Sequence, residues 1–89
     1  MSIFDDLIKL ARERREKPVE GSYTNKLLSD KSLSKAKVLE EIDELIEAVE
    51  KDTNKIHEAA DVFYHLIMSL EANNIKIEDV MAELEKRKK

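Results

Sequence analysis

Eighty-nine residues amount to one domain, near the lower end of what buries a useful core unaided, so self-association is expected. The absence of cysteine excludes disulfides and thiolate metal sites, and makes a reducing cytoplasm the natural setting. Charged residues form 40% of the chain but nearly cancel, to a net −4, which argues against a nucleic-acid-binding surface.

The chain opens Met1-Ser2-Ile3-Phe4-Asp5-Asp6, with acids where a signal peptide is basic, and no apolar run approaches the roughly 20 residues that span a bilayer. A cytoplasmic protein with no membrane partner is expected. One Gly, one Pro and 4% aromatics, against an abundance of Glu, Lys, Leu, Ala and Ile, predict a single all-α domain over residues 1–89.

Ser2 is placed to cap a first helix, with Asp5 three residues on, and Phe4, Leu7, Ile8 and Ala11 recur at helical spacing to about Glu16. Lys17-Pro18-Val19-Glu20-Gly21 holds the only Pro and the only Gly and reads as a break. Residues 17–32 are expected to be mostly irregular, with a short helical turn over 25–29. From about Ser34 to Lys51, Val38, Ile42, Leu45 and Val49 form one stripe of a second helix. Asp52-Thr53-Asn54 supplies turn and N-cap chemistry, and Ile56, Ala59, Ala60, Phe63, Ile67 and Leu70 mark the core face of a third. Val62 and Leu66 broaden that face beyond what one solvated helix needs, which calls for a covering partner. Asn73-Asn74 ends it, and Ile75, Ile77, Val80, Met81 and Leu84 lead into a final helix. The expectation is an antiparallel helical bundle of about four helices, completed by homodimerisation.

The acids carry the chemistry. Glu41 with Glu44, and Glu58 with Asp61, are i,i+3 pairs, each on one face of its helix. A short turn makes the two helices antiparallel, with Glu44 and Asp61 equidistant from it, so the four carboxylates fall within roughly 9 Å along the hairpin. Glu40 is a candidate outer member, and Glu47 points further away. The plain alternative is a solvated acidic face balanced by Lys35, Lys37, Lys51 and Lys55. Against it, close like charges repel by about 1 kcal/mol or more per pair unless a cation neutralises them. Mg²⁺ suits such oxygen ligands and bridges them to phosphates. Asp61 and His65 are one turn apart, within reach of a carboxylate–imidazole hydrogen bond, whereas His57 reads as surface. Nothing supports zinc or a serine nucleophile.

Lys37-Val38-Leu39-Glu40-Glu41-Ile42-Asp43-Glu44, followed by Glu58-Ala59-Ala60-Asp61-Val62-Phe63-Tyr64-His65, resembles the EExxE and ExxD signature of the all-α nucleotide pyrophosphohydrolases, the MazG-like superfamily. Glu20-Gly21-Ser22-Tyr23-Thr24, the EAAD-x-x-YH form of the second motif, and Glu78-Asp79-Val80-Met81-Ala82-Glu83-Leu84 look like the phosphoribosyl-ATP pyrophosphohydrolases of histidine biosynthesis. The resemblance implies Mg²⁺-dependent cleavage of the α,β-phosphoanhydride of phosphoribosyl-ATP to phosphoribosyl-AMP and pyrophosphate. It implies Mg²⁺ held by Glu41, Glu44, Glu58 and Asp61, with Glu40 nearby. Lys37, Arg14, Ser22, Tyr23, Thr24 and His65 are the candidate substrate contacts. Leu39 stands where many members have Gly, and the stretch from Leu28 to Lys37 is about a residue short. Eighty-nine residues leave no room for the cyclohydrolase to which this domain is often fused, so a separate partner activity is expected. Two alternatives stand beside this reading: a house-cleaning nucleoside-triphosphate pyrophosphohydrolase of the same superfamily, and a non-catalytic helical dimerisation module.

Overall fold

The computed structural model describes residues 2–88. It is all-helical, with no strand among the described residues: α1 (Ile3–Glu16), α2 (Tyr23–Ser29), α3 (Lys31–Lys51), α4 (Lys55–Ala72) and α5 (Ile77–Arg87). None of these helices is long and apolar enough to cross a membrane.

There are five helices instead of about four, and the additional one is α2, inside the stretch expected to be mostly irregular. Ser22 caps it, its Oγ accepting from Asn25 N at 3.2 Å, and Leu27 and Leu28 are buried beneath it. Asp30 then serves two helices at once. Its backbone N–H closes α2 on Lys26 O at 3.0 Å, and its carboxylate caps α3 by accepting from Leu33 N at 3.0 Å. A single joint residue thus starts α3 at Lys31, earlier than the periodicity of its apolar residues indicates. The capping box at Ser2 and Asp5, the end of α1 at Glu16 and the close of α4 at Asn73 are as expected.

The hairpin of α3 and α4 turns through Asp52, Thr53 and Asn54. Asp52 (φ 56°) and Asn54 (φ 43°) both adopt the left-handed conformation, which Asp and Asn tolerate best among residues with a side chain. Asn54 occupies the N-cap position of α4 but makes no capping hydrogen bond, so its contribution is the turn itself. The core lies at the other end of the hairpin, where Ile8 and Ala11 of α1, Leu27 and Leu28 of α2, Ile67 and Met68 of α4 and Ile77 of α5 meet.

The predicted apolar faces are only partly spent on this core. In α3 the buried positions are Ser34, Glu41 and Ala48, a seven-residue repeat, while Val38 and Leu45 are half-buried and Ile42 and Val49 exposed. In α4, Ile67 is buried and Ala59 and Leu70 half-buried, but Ile56 is 89% exposed and Ala60 and Phe63 are exposed too. The physical reason is that α1 and α2 cover only the C-terminal half of α4. The remainder of the hairpin projects, giving a radius of gyration of 14.0 Å where a compact chain of this length has roughly 12 Å.

Candidate metal centre

The hairpin brings the four predicted carboxylates together. Glu44 and Asp61 act electrostatically on both Glu41 of α3 and Glu58 of α4, so the acids of the two helices influence one another across the hairpin.

Glu41 carries the most unusual environment. It sits on the buried seam of α3 at 7% exposure, and its Oε2 has no hydrogen-bond partner. Burial first, then the closeness of Glu44, pushes its carboxyl above the usual carboxylate range. Glu58 is pushed up as well, by burial and then by the charge of Glu44, and its Oε2 is also buried without a partner. Glu44 stands between them, close enough to share a proton with either. Buried polar atoms are nearly always paired, and the two unpartnered carboxylate oxygens of Glu41 and Glu58 are donors of the kind a cation satisfies. Ligand atoms of Glu40, Glu41 and Glu44 lie within 4.8 Å of one another, as do those of His57, Glu58 and Asp61. Hard oxygen donors of this number fit Mg²⁺.

Of the predicted substrate contacts, Tyr23 and Lys37 lie within electrostatic reach of Glu40 and Glu41. His65 is buried, and its Nδ1 donates to the backbone carbonyl of Asp61 at 2.7 Å, in place of the expected bond to the Asp61 carboxylate. A carbonyl only accepts, so in the neutral ring Nε2 is the acceptor and takes the hydroxyl of Tyr23 at 2.8 Å. Thr24 Oγ1 and the hydroxyl of Tyr64 are 2.6 Å apart, a second tie between α2 and α4. Burial, opposed by the charge of Lys37, raises the Tyr23 phenol above its ordinary value. Lys37 pairs with Glu40 at 3.1 Å, which keeps its ammonium charged beside the acids. Arg14 is turned to Ser22, donating to its Oγ at 2.9 Å, and so supports the start of α2.

Sequence reading missed Tyr64, although its tyrosine hydroxyl one residue before His65 was a signal. It also missed a charge network on the far side of the core. Glu71, with 3% of its side chain exposed, accepts from Arg12 Nε at 3.2 Å, while Arg15 Nη1 donates to the Glu71 carbonyl at 3.0 Å. Arg12 also forks onto Glu78 with two bonds of 2.7 Å. The spacing of Arg12 and Arg15 by one turn was the available hint.

Comparison with known proteins shows the family. The family model for phosphoribosyl-ATP pyrophosphohydrolase matches residues 4–88. The chain is 44% identical over 90 residues to the phosphoribosyl-ATP pyrophosphatase of Clostridium acetobutylicum, covering 96% of this chain and 80% of that one. Against the phosphoribosyl-ATP pyrophosphatase of Listeria welshimeri it is 41% identical over 88 residues, covering 96% and 84% respectively. It is also 41% identical over 92 residues to the histidine biosynthesis bifunctional protein HisIE of Pyrococcus furiosus, of which it spans 43%. No solved structure matches. With nearly its whole length accounted for, the chain belongs to the phosphoribosyl-ATP pyrophosphohydrolase family, whose members are hydrolases.

Proposed function

We propose that this protein hydrolyses the α,β-phosphoanhydride of phosphoribosyl-ATP, releasing pyrophosphate and phosphoribosyl-AMP in the second step of histidine biosynthesis, with Mg²⁺ held by Glu41, Glu44, Glu58 and Asp61. The observation that carries this reading is the pair of buried, unpartnered carboxylate oxygens on Glu41 and Glu58. Bound Mg²⁺ supplies counter-charge for the triphosphate and polarises the phosphorus toward attack. The chain's own residues do the rest. Glu58, held above the usual carboxylate range by burial and by the charge of Glu44, orients a water in line with the leaving pyrophosphate and accepts its proton. Lys37, with Glu40 holding it, meets the phosphates, and Tyr23, fixed by His65, presents α2 to the nucleotide. No protein nucleophile is needed. Hydrolysis in Mg²⁺ of phosphoribosyl-ATP, measured beside canonical and damaged nucleoside triphosphates, tests the substrate: preference for phosphoribosyl-ATP is expected. Equal or faster release of pyrophosphate from a nucleoside triphosphate would instead favour the house-cleaning activity.

The protein works as a homodimer in this reading. Ile42, Ile46 and Val49 of α3 and Ile56 of α4 expose an apolar surface on the projecting hairpin that a single chain leaves uncovered, bordered by Phe63, whose ring meets Phe4 on one side only. A second hairpin packed on it completes a bundle of the usual kind. Sedimentation of wild type and of I46E/V49E is expected to give a dimer and a monomer respectively. A monomeric wild type at micromolar concentration contradicts it.

A further inference from the structure

Beside the four carboxylates stands a donor of another kind. His57 lies one helical turn before Asp61, its Nε2 3.4 Å from Asp61 Oδ2, and its ring shares the 4.8 Å cluster with Glu58 and Asp61. Positions i and i+4 face the same side of a helix, so His57 and Asp61 are set as a chelating pair with Glu58 between them. The side chain is 72% exposed and its one polar contact is this carboxylate, so the ring is free to turn a nitrogen inward. His65 has no such freedom, because the Asp61 carbonyl and the Tyr23 hydroxyl occupy both of its ring nitrogens. Within the group itself, Glu58 Oε2 is buried without a hydrogen-bond partner, and Glu41, more than nine-tenths buried with an unpartnered oxygen of its own, feels the charge of Asp61.

We propose that His57 gives this metal centre a nitrogen ligand, so that besides Mg²⁺ it accepts a first-row transition ion such as Mn²⁺ through one imidazole and the carboxylates of Glu58 and Asp61. This rests on the carboxylate centre proposed above and adds a ligand to it. Mg²⁺ gains little from imidazole, whereas transition ions bind nitrogen well, so the histidine changes which ion is held more than whether one is held.

Pulsed electron paramagnetic resonance of the Mn²⁺-loaded protein reads the ligand directly. Nitrogen modulation from a coordinated imidazole is expected in the wild type, absent in H57Q and retained in H65Q. Calorimetry should show Mn²⁺ affinity falling about tenfold in H57Q while Mg²⁺ affinity changes by less than about twofold. The chain has two histidines, so H57Q assigns the signal even if H65Q does not fold. Modulation that survives in H57Q overturns the proposal. So does its absence from Mn²⁺-saturated wild type; if E44Q then still abolishes Mn²⁺ binding, the carboxylate centre stands without His57. Failure of the wild type to bind either ion sinks both.

Discussion

Replacing Glu41 by glutamine is expected to stabilise the metal-free protein while removing its response to Mg²⁺ and lowering turnover about 1000-fold, equivalent to about 4 kcal/mol of transition-state stabilisation. The three effects share one cause. The Glu41 carboxylate is buried with a free oxygen, and burial and Glu44 hold its proton affinity up. A carboxyl whose folded value is raised contributes stability that is complete below the ordinary carboxylate value near 4.5 and lost as pH rises through the folded value. Above that point the folded chain must desolvate a charge that the unfolded chain keeps in water. Glutamine fills the same space without that charge, so the advantage of E41Q in thermal midpoint should widen from about pH 5 to about pH 8 in chelator. Mg²⁺ reverses the sign for the wild type, because only the carboxylate binds it. Thermal unfolding of both proteins across that range, with and without Mg²⁺, checks this. Two results contradict it: an E41Q less stable than wild type in chelator at the upper end, or one still stabilised by Mg²⁺.

The second large effect lies away from the metal centre. Removing both arginines that meet Glu71, as R12M/R15M, leaves a carboxylate with 3% side-chain exposure and no counter-charge. A loss of about 3 kcal/mol is expected, which lowers the midpoint by roughly 10–20 °C in a domain of this size. The reverse deletion, E71Q, should cost only about 1 kcal/mol, since the two arginines are about 40% exposed and return to water while the amide still accepts. That asymmetry separates a buried-charge penalty from loss of packing. Equal losses for the two variants contradict it. Acid should loosen the same region from the other side. Arg12 holds Glu78 down to about 2, so the stability that Glu78 lends to the seating of α5 is present above about 4.5 and is lost as pH falls toward 2. Hydrogen exchange in α5 should rise over that interval before the rest of the fold opens.

How far the sequence carried can be seen from particular residues. The helical period, the Ser2 box and the pairing of Glu41, Glu44, Glu58 and Asp61 on a hairpin follow from local spacing alone. Only the last turn of α2, over 25–29, was legible, because seven residues are too few for a period to register, although Ser22 and the Leu27-Leu28 pair signal a cap and a buried face. Periodicity reports that Ile42, Val49, Ile56 and Phe63 share faces, but not whether their own chain or another covers them. That depends on where α1 and α2 end, which is tertiary information. Nor does a pattern of apolar residues show that the inner seam of α3 is Ser34, Glu41 and Ala48, since a buried glutamate breaks the rule from which the pattern is read. The Glu71 network escaped for a related reason: an acid among many becomes distinctive only through partners 56 and 59 residues away.

Surface loops are ordinarily where a protein absorbs inserted residues with least harm. The turn at Asp52–Asn54 is an exception. Two of its three residues already stand in the left-handed region, and the acids of α3 and α4 that act on one another across the hairpin depend on how the two helices are set by it. One added residue has no slack to enter; it slides α4 along α3 by about 1.5 Å or turns it by about 100°, and either motion parts the acids. The stretch Lys17–Gly21 sets no such register: its left-handed residue is a glycine, and its ties are local, to Glu13, Ser22 and Asn25. Length variation among proteins built this way should therefore accumulate before α2 and be nearly absent from the hairpin turn.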